Sequence, residues 1–359
     1  MNNLYSDNFG EVASKDKLLS VIIPTYNMEK YIERCISSLF IEDKALMKRL
    51  DVLVVNDGSK DRSSELAHQF ADKYPDSIRV IDKQNGNYGS CINAALPTVQ
   101  GKYVRILDAD DSYYTENLAG YLKALDSCDT DLVLTKYNSV DPNGNIVKAY
   151  LPLNEKFEGK TFAMKDIPVN AYIMMHHVAF RKELFDGLGY HQTEGVSYTD
   201  WEFVFHPMSR VKTVYYYPQN IYRYLIGREG QTVDPMITIN KLGDEEASLF
   251  SQLAIISKLD KNNEAYGFMK YMVLRRIVYI YVLGISRMST FDLNAYDARL
   301  LAEYPEFYEA SNYRKVQLGG VGPMMPIAKM WRNVRSKSKL KFFPKYLLFI
   351  LAAKFKRNW

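Results

Sequence analysis

Four short apolar runs lie in the first 110 residues, each rich in Val and Ile and each closed by Pro, Asp or Asn. They read LLSVIIP, LDVLVVND, SIRVID and KYVRILDADD, and the segments between them, such as KDRSSELAHQFADKY, have helical spacing. Strands and helices that alternate at intervals of about 25–30 residues predict βαβ units and a mostly parallel sheet. Uninterrupted apolar strands are expected where helices cover both faces of the sheet. The pattern therefore predicts a doubly wound α/β fold.

The pattern changes further along the chain. A helix, TENLAGYLKALDSC, and a strand, TDLVLTKYNSV, are followed by the strong turn DPNGN and by a loop-rich stretch from about 151 to 235. Residues 238 to 288 predict two helices, NKLGDEEASLFSQLAIISKL and NEAYGFMKYMVLRRIVYIYVLGI. No run reaches the roughly 18 apolar residues of a membrane-spanning helix.

The length of 359 residues predicts one large domain with a smaller appended region. We predict a polar N-terminal arm, a sheet domain made of two halves, a helical region and a basic amphipathic segment. These parts cover 1–16, 17–235 (divided into 17–115 and 116–235), 236–330 and 331–359.

Composition narrows the class of protein. The hydrophobic fraction of 47% and the charged fraction of 25% are ordinary for a globular domain, and a net charge of +4 is too small to predict a nucleic-acid partner. Three widely spaced cysteines disfavour a disulfide framework and a structural zinc site, and the polar N-terminus does not resemble a secretory signal. We therefore expect a reducing, cytoplasmic compartment.

Polar residues follow the predicted strands. Pro24 ends the first strand before Asn27, Asp57 precedes a glycine turn after the second, and the Asn- and Gly-rich stretch KQNGNYGSCINAAL follows the third. Because ligands of such sheets bind beyond the carboxyl ends of the strands, these residues are candidates for ligand contacts. Helix capping and ordinary turns are the alternative for each stretch taken alone. The chain has neither a GxGxxG fingerprint nor a P-loop.

The fourth strand ends in three carboxylates within four positions, Asp108, Asp110 and Asp111. Hard oxygen ligands grouped in this way suit Mg²⁺ or Mn²⁺, which commonly bind through one or two carboxylates together with substrate phosphates. A divalent cation would relieve the repulsion between the carboxylates and neutralise charge on a diphosphate. A solvated acidic turn is the alternative.

Taken in order, the four strand ends carry Pro-Thr-Tyr-Asn, Asp-Gly-Ser, Asn-Gly-x-x-Gly and Asp-x-Asp-Asp. This series closely resembles the family 2 glycosyltransferases, nucleotide-sugar-dependent enzymes of the GT-A fold. The resemblance covers about residues 17 to 115, is thinner to about 235 and does not extend further. It implies a GT-A, Rossmann-like sheet with a helical C-terminal extension, a nucleotide-sugar donor, and Mn²⁺ or Mg²⁺ as cofactor. It also implies that residues 17–115 are the nucleotide-binding half of the sheet domain and residues 116–235 its acceptor half.

The resemblance also implies roles for individual residues. The nucleotide-binding positions are Pro24, Thr25, Tyr26, Asn27, Asp57, Asn85, Asn87, Gly89, Asn93 and Asp108. The metal positions are Asp108 and Asp110, and Asp111 is expected against the donor sugar. Family members often have Ala-Arg-Asn where this chain has Cys91, Ile92 and Asn93, so that arginine contact to the donor is missing here.

Asp200, in EGVSYTDWEFVFHPM, takes the position of the family's catalytic base, with Thr199 where a Glu is usual. Transfer with inversion needs one carboxylate to remove the acceptor hydroxyl proton while the anomeric carbon is attacked from the opposite face. The leaving diphosphate needs a cation. A helix N-cap at Asp200 is the alternative, and Glu202 is the nearest rival carboxylate.

Two further stretches have open interpretations. The loop YRYLIGREGQTVD holds Arg228 and Gln231, which are predicted to close over the diphosphate, with an ordinary surface loop as the alternative. His176 and His177 lie in an apolar stretch, where a core position is commoner than contact with an acceptor or a metal.

The C-terminal segment carries nine Lys or Arg and no acid between Arg332 and Arg357, around the apolar run YLLFILAA. This arrangement favours an interfacial anchor on an anionic membrane, to which each base near the surface contributes about 1 kcal/mol. A short basic helix packed on the domain is the alternative. Lipid-linked acceptors are common in the family that the chain resembles, which favours a peripheral position on the inner face of the cell membrane.

The leading hypothesis is a metal-dependent, inverting glycosyltransferase of cell-surface polysaccharide synthesis. It would move a hexose or N-acetylhexosamine from a nucleotide sugar, predicted to be a UDP-sugar, to a hydroxyl of a glycan or lipid-linked acceptor. One alternative is a sugar nucleotidyltransferase, for which PTYNMEK lacks the basic, Gly-rich phosphate loop. The other is a catalytically silent protein that binds a nucleotide sugar or a lipid.

Overall fold

The computed structural model describes residues 17–228, 231, 235–285, 289–317 and 324–335. The predicted N-terminal arm, 1–16, and residues 336–359 of the predicted basic segment lie outside the described residues.

A ten-stranded sheet forms the centre of the fold. Its strands are β1 (Leu19–Thr25), β2 (Leu50–Asn56), β3 (Ile78–Asp82), β4 (Tyr103–Ile106), β5 (Ser112–Tyr113), β6 (Leu132–Val140), β7 (Ile146–Tyr150), β8 (Thr161–Ala163), β9 (Val178–Arg181) and β10 (Thr213–Leu225). Two further strands, β11 (Val316–Gln317) and β12 (Met324–Met325), pair antiparallel with each other.

The strand order is β3-β2-β1-β4-β9-β6-β10-β5, with β7 paired to β6 and β8 paired to β10. The first four strands are parallel, β6 and β10 are parallel to each other, and β9 is inserted antiparallel between β4 and β6. This topology confirms the α/β class and the four predicted N-terminal strands. Because β9 is antiparallel to both of its neighbours, β6 and β10 point the same way as β4. The carboxyl ends of six strands, β1 to β4, β6 and β10, therefore lie at one edge of the sheet.

Helices cover both faces of the sheet and continue beyond it. They are α1 (Ile32–Ser37), α2 (Lys44–Met47), α3 (Ser63–Lys73), α4 (Asn87–Ala95), α5 (Thr115–Ser127), α6 (Asp200–Met208), α7 (Pro235–Asn240), α8 (Leu242–Ile256), α9 (Tyr266–Gly284), α10 (Leu293–Glu303), α11 (Pro305–Ser311) and α12 (Ile327–Arg335). The two helices predicted for 238 to 288 are α8 and α9. In the segment between β1 and β2, α1 begins only at Ile32.

Strand β2 is buried along its whole length, as expected when helices lie on both faces. Its residues alternate between two cores: Leu53 packs in the cluster that includes α4 and α6, and Val54 packs in the cluster that includes α1, α3 and α5. Leu249 of α8 and Ile277 of α9 belong to the same buried cluster as Leu53. The helical region therefore shares a core with the sheet.

Helix α12 spans the predicted boundary between 330 and 331. Arg332 Nε donates to Asp297 Oδ1 at 2.8 Å, and the ring of Trp331 lies 5.6 Å from that of Tyr281. The start of the predicted basic segment thus packs on α9 and α10. Among the described helices, none combines the length and the apolarity needed to cross a membrane.

Candidate functional site

The ends of β1 and β2 are bound to each other through Asn27. This residue has φ of +53°, a conformation that Asn tolerates better than most residues. Its side-chain Oδ1 accepts from the Lys60 backbone N–H at 2.8 Å, and its own N–H donates to Ser59 Oγ at 3.1 Å. Thr25 is buried, whereas the neighbouring Tyr26 is 44% exposed. The Tyr26 ring is therefore free to stack on a flat ligand.

Asp57, directly after β2, joins the second strand end to the third. Its Oδ1 accepts from Lys83 Nζ at 2.7 Å and from the Gly86 backbone N–H at 2.9 Å. The Asn85 side chain donates to the Asp57 backbone carbonyl at 3.0 Å. Asp57 is buried, so the lysine also offsets the cost of holding this carboxylate out of water. The structure thus brings Asp57 and Asn85 together.

Gly89 and Asn93, both predicted to contact nucleotide, hold the loop that precedes α6. The Asn93 side chain donates to the Gln192 carbonyl at 2.9 Å and to Glu194 Oε1 at 2.8 Å, and it accepts from the Gln192 N–H at 2.8 Å. A Cβ on Gly89 would lie 2.1 Å from the Thr193 carbonyl oxygen. Helix α4 therefore holds the loop that leads to Asp200. No local sequence pattern indicated this contact between α4 and the loop.

The three carboxylates after β4 have different surroundings. Asp108 lies at the surface of a cavity, where its Oδ1 accepts from the Tyr88 hydroxyl at 2.9 Å. Asp110 Oδ2 accepts from Arg228 Nε at 2.5 Å. Burial, reinforced by the charge of Asp110, raises the pKa of Asp108 to about 7, against the opposing effects of Tyr88 and Arg228. A raised pKa in a cleft indicates a functional carboxylate.

Asp111 is fully buried, and both of its carboxylate oxygens are engaged. Oδ2 accepts from the Tyr222 hydroxyl at 2.6 Å and Oδ1 from the Leu225 N–H at 2.7 Å. Burial raises the pKa of Asp111 well above its ordinary value. The residue ties the end of β4 to the end of β10, and its predicted contact with a donor sugar stays a prediction.

The loop after β10 brings its two predicted residues to the same edge. Gln231 is buried, its Nε2 donates to the Leu225 carbonyl at 2.6 Å, and its Oε1 accepts from the Gly227 N–H at 2.9 Å. These bonds hold Gln231 against the end of β10, and Arg228 pairs with Asp110. A cation from this segment therefore lies beside the carboxylates.

Asp200 is the first residue of α6. Thr199 occupies the N-cap position without a side-chain capping bond, so the alternative role of Asp200 as the N-cap is not observed. Tyr198 has φ of +61°, which is unusual for an aromatic residue. The backbone just before α6 is therefore strained. Burial, followed by the charge of Glu245, raises the pKa of Asp200 to about 6, although Arg276 opposes this.

Asp108 and Asp200 line one cavity of about 960 Å³. Its aromatic wall was not anticipated from the sequence and consists of Tyr88, Tyr137, Tyr150, Tyr172, Tyr198, Trp201, Tyr224 and Tyr279. The 28 tyrosines of the chain were the available signal, but they come from segments far apart in sequence. The rival base Glu202 is fully buried and does not line this cavity; its Oε2 accepts from the Thr193 N–H at 2.9 Å.

Neutral histidine and carboxylate oxygens together form a donor set that suits a divalent cation. Asp108, Asp111 and His176 each offer one ligand atom, and these atoms lie within 4.8 Å of one another. Both ring nitrogens of His176 are buried without a hydrogen-bond partner among the described residues. Burial lowers the pKa of His176 to about 3, so its ring keeps a free lone pair near neutral pH. His177 is fully buried in the core.

A sheet of this topology, with carboxylates at the end of β4 and across one cavity, defines a GT-A glycosyltransferase fold. A family model described as glycosyl transferase family 2 matches residues 20–189. This match covers a little under half of the chain and includes nearly all of β1 together with β2 to β4 and β9.

Among curated proteins, an uncharacterized glycosyltransferase of Rickettsia conorii is 35% identical over 146 residues, which are 38% of this chain and 23% of that protein. An uncharacterized glycosyltransferase of Bacillus subtilis, EpsJ, is 39% identical over 94 residues, 26% of each chain. The chain thus spans about a quarter of the length of these relatives.

Solved structures share the fold over nearly the whole chain. S. aureus TarS 1–349 in complex with UDP has a TM-score of 0.55 and 18% identity, covering 95% of this chain and 88% of that one. The mannosyltransferase PcManGT from Pyrobaculum calidifontis, in complex with GDP-Man and Mn²⁺, has a TM-score of 0.50 and 16% identity, covering 97% and 88%. At these identities the likeness concerns the fold alone.

Proposed function

We propose that the protein is a metal-dependent, inverting glycosyltransferase that uses a nucleotide sugar. The observation that carries this proposal is that Asp108 and Asp200 line the same cavity. One carboxylate follows a strand of the nucleotide-binding half, and the other begins a helix held over that half by Asn93 and Gly89. Donor and acceptor would therefore meet between them.

In the proposed reaction, the Asp200 carboxylate accepts the proton of the acceptor hydroxyl. The hydroxyl oxygen attacks the anomeric carbon, the bond from that carbon to the diphosphate oxygen breaks, and the nucleoside diphosphate leaves. Raising the pKa of Asp200 to about 6 makes it a stronger base than an exposed aspartate while leaving it mostly ionised near neutral pH. The half-buried aromatic wall limits access of water to the sugar.

Residues at the end of β4 and just before β9 fit a divalent cation. Asp108 and His176 would hold Mn²⁺ or Mg²⁺, and the cation would neutralise the leaving diphosphate. Asp110 is paired with Arg228, so it would join these ligands once the arginine has left it. Asp57 and Tyr26 would hold the base and ribose, and Arg228 would move to the diphosphate.

We propose a UDP-sugar donor, in line with the neighbour TarS, which binds UDP and UDP-GlcNAc. The neighbour PcManGT binds GDP-Man, which makes GDP-sugars the comparison set. Thermal unfolding with UDP, GDP and their sugars, with and without Mn²⁺, tests the donor. A ligand at about 100 times its dissociation constant stabilises by roughly 2.7 kcal/mol. We expect stabilisation by UDP compounds only when Mn²⁺ is present; no response to any nucleotide would contradict the proposal.

The acceptor is proposed to be a hydroxyl of a glycan or a lipid-linked saccharide. We also propose that the basic residues after α12 bring the protein to an anionic membrane, an idea that rests on the sequence of 336–359 alone. A chain that ends at Arg335 keeps α12 and should lose flotation with anionic vesicles. Equal flotation of the full and shortened chains would contradict membrane binding through this segment.

A further inference from the structure

Positive side chains from the C-terminal half line the same cavity as Asp200. Arg275 and Arg276 come from α9, and Arg314 and Lys315 come from the segment between α11 and β11. The cavity therefore combines carboxylates from β4 and α6 with cations from elements that follow the sheet.

One of these four cations is neutralised inside the protein. Arg276 forms a buried ion pair with Glu245 at 2.5 Å. No carboxylate of the described residues lies within salt-bridge distance of Arg275, Arg314 or Lys315. We call these three residues the basic subsite. It contributes three positive charges to the cavity wall without local compensation.

The two arginines of the basic subsite are held by aromatic rings. The Arg275 guanidinium lies 4.1 Å from the centroid of Tyr172, and that of Arg314 lies 4.0 Å from the centroid of Tyr271. Stacking of this kind uses the faces of the guanidinium and leaves its in-plane N–H groups available as donors. Arg314 Nε is shielded from solvent and has no hydrogen-bond partner among the described residues. An unmatched buried donor is costly unless a ligand accepts from it.

We propose that the basic subsite binds a phosphate group of the acceptor, either a phosphate ester or a phosphodiester next to the sugar or polyol that receives the new residue. Three cations match a phosphate better than a single carboxylate, and arginine forks bind phosphate oxygens in pairs. Tyr172 and Tyr279, 39% and 43% exposed, offer flat apolar faces beside this subsite. The inference rests on the proposed transfer function, because Asp200 makes this part of the cavity the acceptor side.

The test measures binding of inorganic phosphate to the full chain by phosphorus NMR, after the donor site has been saturated with UDP or GDP and Mg²⁺, which is diamagnetic and does not broaden the phosphorus signals. The variant R275Q/R314Q/K315Q removes the three charges, and K258Q removes an exposed lysine just after α8 as the matched control. R275K keeps the charge but loses the planar fork. We expect saturable phosphate binding to the wild type, weakened about tenfold or more in the triple variant, unchanged in K258Q, and intermediate in R275K.

Two competition measurements identify the kind of molecule that supplies the phosphate group in the acceptor. Glycerol 3-phosphate represents a soluble phosphate ester, and phosphatidylcholine vesicles with and without phosphatidic acid represent a lipid phosphate. Displacement of bound phosphate by either probe supports the inference and selects that source. Equal phosphate binding by the wild type and the triple variant, or no saturable binding, overturns it.

The same samples separate this inference from the proposed function. If neither nucleotide binds, the proposed function fails. If nucleotide binds to the wild type and to the triple variant alike, but phosphate does not bind, only the basic subsite fails. If the triple variant loses nucleotide binding, the three cations serve the donor and the inference is wrong.

Discussion

Arg228 Nε donates to Asp110 Oδ2 at 2.5 Å, so a cation from the turn after β10 neutralises a carboxylate that follows β4. The guanidinium also lies 5.7 Å from the centroid of the Tyr31 ring. Both partners are largely buried, with 19% and 11% of their side chains exposed. In the proposed metal-bound state, Arg228 would leave Asp110 Oδ2 and become available to a diphosphate.

Replacing Arg228 should raise the affinity of the nucleotide-free protein for Mn²⁺. We expect R228Q to bind Mn²⁺ at least about tenfold more tightly, because the metal no longer has to break a largely buried ion pair at Asp110. Titration followed by electron paramagnetic resonance of free Mn²⁺ measures this directly. R223Q is the matched control, since Arg223 is an exposed residue of β10 that lies 3.7 Å from Glu116. Equal affinities in R228Q and R223Q would show that Arg228 does not compete with the metal.

Gly89 should tolerate no side chain. The Cβ of an alanine there would lie 2.1 Å from the Thr193 carbonyl oxygen, so α4 and the loop before α6 must move apart. We expect G89A to lower the free energy of unfolding by about 1–3 kcal/mol, measured by urea denaturation. G243A is the control: a Cβ on Gly243 of α8 would meet no atom within 4 Å among the described residues, and alanine in a helix stabilises by up to about 1 kcal/mol. Similar stabilities of the two variants would contradict the packing described for α4.

The parallel strands were predictable because each one is a local apolar run that ends at a polar turn. The candidate site was indicated only where polar residues directly follow a strand, as at Asp57 and Asp108, and the roles of these residues stay predictions. Asn93 was expected to contact nucleotide because its motif follows β3, yet its amide is used by Gln192 and Glu194. Those partners lie about a hundred positions later in the chain, and no local pattern reports such a contact.

The part of the cavity that α9 and the segment after α11 line was not predicted, for a related reason. Arg275 and Tyr279 lie on one face of α9, where the pattern indicated only a helix, and Arg314 belongs to a short segment with no motif. The antiparallel position of β9 between β4 and β6 could not be predicted either, because the sequence of a short apolar strand does not specify its direction. Pairing between distant segments, rather than local propensity, determines both features.

Transfer should depend on the ionisation of Asp200. Burial raises the pKa of this carboxyl to about 6, and the base must be deprotonated to accept a proton. We therefore expect the rate of transfer to rise about tenfold per pH unit below pH 6 and to level off above it. The rate is measured at saturating donor and metal, with nucleotide affinity followed at each pH as the control. A rate that falls as the pH rises through 6 would contradict the base role.

Helix α12 should contribute to the stability of the helical region. Arg332 is mostly buried, and besides Asp297 it donates to the Tyr308 carbonyl at 3.0 Å. Removing one partner of a buried ion pair typically costs about 3–5 kcal/mol, so we expect R332A to lower the free energy of unfolding by about this amount. K329A, at an exposed position of the same helix, is the control and should change stability little. If the two variants unfold alike in urea, α12 does not anchor the chain.

The most direct test of the proposed function is sugar transfer by D200N alongside nucleotide binding by the same protein. Asparagine keeps the shape of the side chain but cannot accept the hydroxyl proton. D244N, near the start of α8, is the matched control, because its amide oxygen can still accept from the Ser197 N–H. We predict that D200N binds donor like the wild type and transfers sugar about 10²–10⁴-fold more slowly, while D244N transfers normally. Transfer by D200N at the wild-type rate would falsify the assignment of Asp200 as the base.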